Sequence, residues 1–207
     1  MHFLLGVNKM NQKLYEEIKD TLNKKPKKGE LIGLLQKILD EEKGIYEDNE
    51  GKCRMISLDT SSTKSGWAYF EAGELVLSGE LDYSKEKDSE IRVEEMIMSI
   101  YKVLSTYNPD IIVAEKNTVG RNARTERMLG HIVGSVKGYA LAFYKEFTTL
   151  SPTEWRKAVK KDVACPRKRE EAKEWAIKMV KDKYGIDVSD NQAEAILIGD
   201  ALVEIRK

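Results

Sequence analysis

The chain has 207 residues, 41% of them hydrophobic and only four of them proline, which suits one globular domain with an appendage and a substantial core. Its formal net charge is zero, so it cannot attract nucleic acid through overall charge, and any basic surface must be local. Cys53 and Cys165 lie far apart without CxxC spacing, which disfavours a zinc site or a disulfide framework; no apolar run reaches membrane-spanning length, and the expected location is the cytoplasm.

Residues 1–53 read as a helical N-terminal arm. Leu14, Ile18 and Leu22 recur every four residues, and Leu31, Leu34, Leu35 and Ile38 follow a helical pattern beyond the break at 24–29. Ten Lys and Arg balance ten Asp and Glu there. Amphipathic stripes of this kind pack on protein, so the arm is expected to lie on the domain or on a second subunit. The Lys24–Lys28 cluster leaves DNA contact as the minor alternative.

The main domain spans residues 54–207. Met55, Ile56 and Leu58 form a strand that leads into Asp59, and residues 60–66 supply turn chemistry, with Gly66 able to tolerate unusual dihedrals. Trp67 to Phe70 resume a strand, and residues 75–81 form a third. Val93, Met96, Ile97, Ile100 and Leu104 mark one face of a helix over 89–106, stopped by Asn108 and Pro109. The apolar run from Ile111 to Glu115 predicts a central, parallel strand that also ends in a carboxylate.

A loop over 116–122 leads to a helix over 123–145. It carries Gly130, Gly134 and Gly138, whose spacing predicts close backbone approach to the sheet or to another helix; His131 is expected as a packed helix residue. Residues 147–150 form a short strand. Ser151 caps the next helix, with Pro152 at its first position. Helices over 167–183 and 190–205 close the chain. The order predicts an α/β domain, a mixed sheet flanked by helices.

Asp59 and Glu115 end strands that should lie side by side, which puts both at the carboxyl edge where open α/β sheets carry their sites. Asp190 and Glu194, four apart, share a face of the last helix. Asp190 also suits helix capping, with Ser189 as its rival. Four carboxylates without His or Cys suit hard cations such as Mg²⁺ or Mn²⁺. Two such ions about 4 Å apart can activate water and stabilise the leaving oxygen of a phosphodiester. From Lys116 to Lys181 the chain holds sixteen Lys and Arg against seven Asp and Glu. Arg121, Arg124, Arg127, Arg156, Lys157, Lys160, Lys161, Arg167, Lys168 and Arg169 are therefore the candidate phosphate contacts.

Residues 59–68, DTSSTKSGWA, resemble the first motif of RuvC-type Holliday junction resolvases, within the RNase H-like fold. Ile112-Val113-Ala114-Glu115 resembles the second, and the glycine-bearing helix, Thr148 to Trp155, and Glu194 to Ile198 keep the family order. The resemblance covers about residues 54–205. It implies an RNase H-like mixed five-stranded sheet and a homodimeric, Mg²⁺-dependent endonuclease that cuts four-way DNA junctions by paired nicks. It also implies a basic residue near the site at the start of the penultimate helix, for which Lys168 is the choice. Three residues before Glu194, where the family places an acid or His, this chain has Asn191, so the fourth ligand is Asp190 or Asn191. The position three after Glu115, often aromatic in bacterial members, is Thr118, and the pattern resembles phage and mobile-element branches. The rival readings are an RNase H-like nuclease on hybrids or flaps and a non-catalytic binder of branched DNA.

Overall fold

The computed structural model describes Asp20 and residues 53–116, 123–160, 165–166 and 168–207, and the fold discussed below is that of the unit Cys53–Lys207. The arm expected over residues 1–53 lies outside the described residues, Asp20 and Cys53 apart. So do Thr118, Arg121, Lys161 and Arg167.

Five strands form one sheet in the order β3-β2-β1-β4-β5. Strands β1 (Arg54–Asp59), β2 (Lys64–Glu71) and β3 (Glu74–Asp82) make an antiparallel meander. Strands β4 (Ile111–Glu115) and β5 (Glu146–Leu150) add in parallel on the other side of β1. The first strand is thus central and the fourth runs parallel beside it, as the apolar runs predict. The two are buried on both faces, which is why they read as continuous hydrophobic segments. Helix α1 (Ser89–Tyr107) supplies the crossover, capped at its start by Asp88, which accepts from the Glu90 and Ile91 amides. Its end is a left-handed Asn108 whose N–H reaches the Leu104 carbonyl, a helix stop that Asn tolerates.

Side-chain alternation divides the core into two layers. Ile56, Leu58, Ile112 and Ala114 face α1 and α2 (Ala123–Ala142), meeting Met96, Ile100, Leu104, Ile132 and Val136. Met55, Phe70, Ile111 and Val113 face α3 (Pro152–Val159), α4 (Arg169–Tyr184) and α5 (Asp190–Ile205), meeting Trp155, Trp175, Ile196 and Leu197. Helix α5 lies directly on the sheet. A Cβ on Gly199 would stand 2.2 Å from the Phe70 ring, and the Ser57 hydroxyl donates to the Ala195 carbonyl at 2.7 Å.

Two expectations about α2 are corrected. Added Cβ atoms at Gly130, Gly134 and Gly138 would meet nothing within 4 Å among the described residues, so these glycines face outward there instead of packing on the sheet or another described helix. His131 is exposed beside them. The buried stripe of α2 is Ile132, Val136, Tyr139 and Ala140, and the glycines lie off that stripe. Among the described residues no helix is long and apolar enough to cross a membrane.

Candidate active site

Alternation along the two central strands decides where their terminal carboxylates point. Met55 and Ser57 face α5, so Asp59 continues their row; Ile111 and Val113 face the same side, and Glu115 follows them. Leu58 is level with Ala114 in the parallel pair, which brings the two acids to one edge. Helix α5 crosses that edge with its N-terminal turn and adds Asp190 and Glu194.

The cap of α5 matters for the chemistry. Ser189, not Asp190, caps the helix: its hydroxyl accepts from the Gln192 amide, and the Gln192 side chain accepts from the Ser189 amide. Asp190 is thereby free to meet Lys173 of α4, whose Nζ lies 2.6 Å from Oδ2. Asn191 turns the other way and donates to Glu80 of β3 at 2.8 Å. Glu80 also accepts from Ser189 and Lys64, and against the cost of burial these hydrogen bonds hold its carboxyl below the usual range. Of the two candidates for the fourth position, Asp190 is the one that shares the electrostatics of Asp59 and Glu194.

Electrostatics tie the four acids together. Burial, and then the charges of Glu194, Glu115 and Asp190, push the Asp59 carboxyl well above the usual range, with Lys173 pulling weakly back. Burial also raises Glu115, against the Trp155 indole N–H, which donates to Oε2 at 2.7 Å. Burial raises Glu194 against the pull of Arg156, whose Nη2 lies 3.3 Å from Oε1. For Asp190 burial acts in the same sense, but the Lys173 hydrogen bond and charge outweigh it and lower the carboxyl. Three acids thus each have a donor, while Asp59 accepts no hydrogen bond from the described residues.

As placed, no group of three His, Cys, Asp or Glu side chains among the described residues stands close enough to hold one ion. The donor chemistry nevertheless fits hard divalent cations: four carboxylates converge, and the central one, Asp59, carries a charge that no hydrogen bond from the described residues offsets.

The cations fall into three groups. Lys168 projects into solvent and pairs with Glu171 at 3.0 Å, so the lysine that joins the acids is Lys173, not Lys168. Arg156 is a site residue, not a free surface contact: it pairs with Glu194, and its guanidinium lies 4.8 Å from the Trp155 ring centroid. Arg124 donates to Ser89, while Arg127, Lys157, Lys160 and Arg169 lie exposed. Sequence reasoning missed Lys173 and the role of Trp155. Lys173 adjoins the buried stripe Ala172, Trp175, Ala176 and Val180, and the indole N–H of a buried Trp usually finds an acceptor. Those were the available signals.

No protein-family model matches the sequence, and no curated protein matches it. Solved structures do resemble the fold. Thermus thermophilus RuvC in complex with a Holliday junction substrate superposes with a TM-score of 0.59 at 17% identity, covering 74% of this chain and 94% of that one. The Fowlpox virus resolvase, in complex with Holliday junction DNA, gives 0.51 at 17% identity over 74% and 98%. The yeast mitochondrial Holliday junction resolvase gives 0.50 at 13% over 73% and 78%. The chain therefore has the RNase H-like fold in the form that RuvC-type resolvases take.

Proposed function

We propose that this chain is a metal-dependent endonuclease that resolves four-way DNA junctions in the cytoplasm as a homodimer. The observation that carries the proposal is the convergence of Glu115, Asp190 and Glu194 on the half-buried Asp59 at the carboxyl edge of this fold. Asp59, Glu115, Asp190 and Glu194 would hold one or two Mg²⁺ or Mn²⁺ ions, which when bound polarise a phosphodiester and ease deprotonation of water. Arg156 and Lys173 place positive charge beside the acids, where a phosphate arriving at the site gains a counter-charge. Arg127, Lys157, Lys160 and Arg169 offer exposed cations for the flanking backbone phosphates.

A homodimer is supported by the outward face of α2. Gly130, Gly134 and Gly138 leave that helix open to close approach, and Leu141, Phe143 and Tyr144 are exposed at its end. Light scattering on the full chain should give twice the chain's mass of 23.6 kDa; a monomer at micromolar concentration rules the dimer out.

The test of activity is nicking of a synthetic four-way junction against linear duplex of the same sequence, with Mg²⁺. Junction cleavage should dominate, Lys168→Ala should retain it, and Lys173→Ala should lose about a hundredfold. Equal cleavage of both substrates contradicts junction specificity. The ion pairs that occupy Glu194 and Asp190 favour one second reading, a binder of branched DNA without cleavage. Tight junction binding with no product in Mg²⁺ or Mn²⁺ would establish it.

A further inference from the structure

We propose that Trp155 is a positioning residue for Glu115, whose indole N–H fixes the carboxylate so that one oxygen, Oε1, is left for a cation. The inference rests on the reading of the four acids as a cation site.

The geometry begins in the sheet. Glu115 closes β4 opposite Leu150, the last residue of β5. The chain turns at once into α3, whose start is firmly set: the Ser151 hydroxyl accepts from the Glu154 amide, the Glu154 carboxylate accepts from the Ser151 amide, and Pro152 presets the first turn. Trp155 therefore returns over the end of β4 one turn after the strand it adjoins. Its indole nitrogen reaches Glu115 Oε2 at 2.7 Å.

Three features argue that the bond orients Glu115. An indole N–H can only donate, so it selects the ionised carboxylate and never competes as an acceptor. Trp155 is fully buried, and its ring is wedged beside Trp175 at 6.4 Å between centroids, so the donor cannot swing away from Glu115. Arg156 covers the ring, and a cation over an indole face draws on its electrons and strengthens the N–H as a donor. With Oε2 taken, Glu115 offers Oε1. Partners that orient ligating carboxylates in this way govern cation affinity without touching the ion.

Trp155 could instead serve the core alone, and Trp175 supplies the control. It sits in the same apolar cluster, nine-tenths buried, and its indole nitrogen has no hydrogen-bond partner among the described residues. Replacing either Trp by Phe removes the same atoms from the same core, but Trp155→Phe alone removes a bond to an acid. Mn²⁺ binding is measured calorimetrically on the full-length chain and on both variants. Trp155→Phe should weaken Mn²⁺ affinity about tenfold or more, while Trp175→Phe changes it less than about twofold. Unchanged affinity in Trp155→Phe, or equal weakening in both variants, overturns the proposal. If the unaltered chain binds no Mn²⁺, the cation site itself falls.

A second measurement covers a Trp155→Phe variant that does not fold. The chain has three Trp residues, so its indole N–H resonances are few and can be assigned with Trp67→Phe and Trp175→Phe. On titration with Mg²⁺ the Trp155 resonance should shift most. A Trp155 signal that stays in place at saturating Mg²⁺ overturns the proposal.

Discussion

Asp59→Asn is expected to abolish junction cleavage, by about a thousandfold or more, and at the same time to raise the melting temperature of the cation-free chain at neutral pH. Both effects have one cause. Asp59 is half-buried at the end of β1 and is faced by Glu194, Glu115 and Asp190, so its ionised form is costly without a cation. Asparagine keeps the shape and removes the charge. The sign follows from linkage. A carboxyl whose folded pKa is raised binds its proton more tightly in the folded than in the unfolded state, so stability falls as pH rises from the ordinary carboxylate range through the raised folded value. Glu115 and Glu194 act in the same sense; Asp190, lowered beside Lys173, opposes them. Melting curves in chelator across pH should show the variant ahead near neutrality and the gap closing in acid. Added Mg²⁺ should stabilise the parent and leave the variant unmoved. A variant that still cuts junctions removes Asp59 from the site.

Gly66→Ala carries the second large effect. Gly66 sits in β2 between Asp59 of β1 and Glu80 of β3 on one cross-strand row. An added Cβ would stand 1.9 Å from the Asn191 carbonyl oxygen and 2.9 Å from the Gln192 amide nitrogen, both backbone atoms in the first turn of α5. No side chain there can rotate out of the way. Propensity alone favours Ala in a strand by about 0.5–1 kcal/mol, but overpacking against backbone costs about 1–3 kcal/mol or more, so the clash wins. Relief requires the start of α5 to lift, carrying Asp190 and Glu194 away from Asp59. Denaturant unfolding should show the loss in stability, and cleavage under folding conditions should fall at least about tenfold. A Gly66→Ala chain as stable and active as its parent would show that α5 does not rest on this strand.

The glycine shows how far local reading goes. As a turn residue, Gly66 suggested freedom of dihedral angle; in the structure it lies inside a strand, and its missing side chain makes room for a helix far away in sequence. The same holds for Gly130, Gly134 and Gly138, whose spacing is plain but whose neighbours are not. A stripe of small residues announces close approach without naming the partner, and among the described residues no partner meets it. Lys168 and Lys173 differ by little more than one helical turn. Composition cannot distinguish them, because the choice depends on the face of α4 that meets α5, where Lys173 reaches Asp190.

The sequence by itself determined the succession of strands and helices, a central parallel fourth strand, the Ser151 cap, and the placing of Asp59 and Glu115 at strand ends and of Glu194 in the last helix. Those features are written in short-range patterns: apolar runs, Ser and Pro at a helix start, a charge at a strand end or within an apolar helix. Tertiary structure decided which groups answer those acids. Ser189 took the cap and released Asp190, Asn191 went to Glu80, and Trp155, Arg156 and Lys173 each claimed one carboxylate. Such pairings join residues up to 111 positions apart. Burial makes them necessary, since a carboxylate removed from water must find a donor, a cation or a proton, and only the packed fold determines which of these lies within reach.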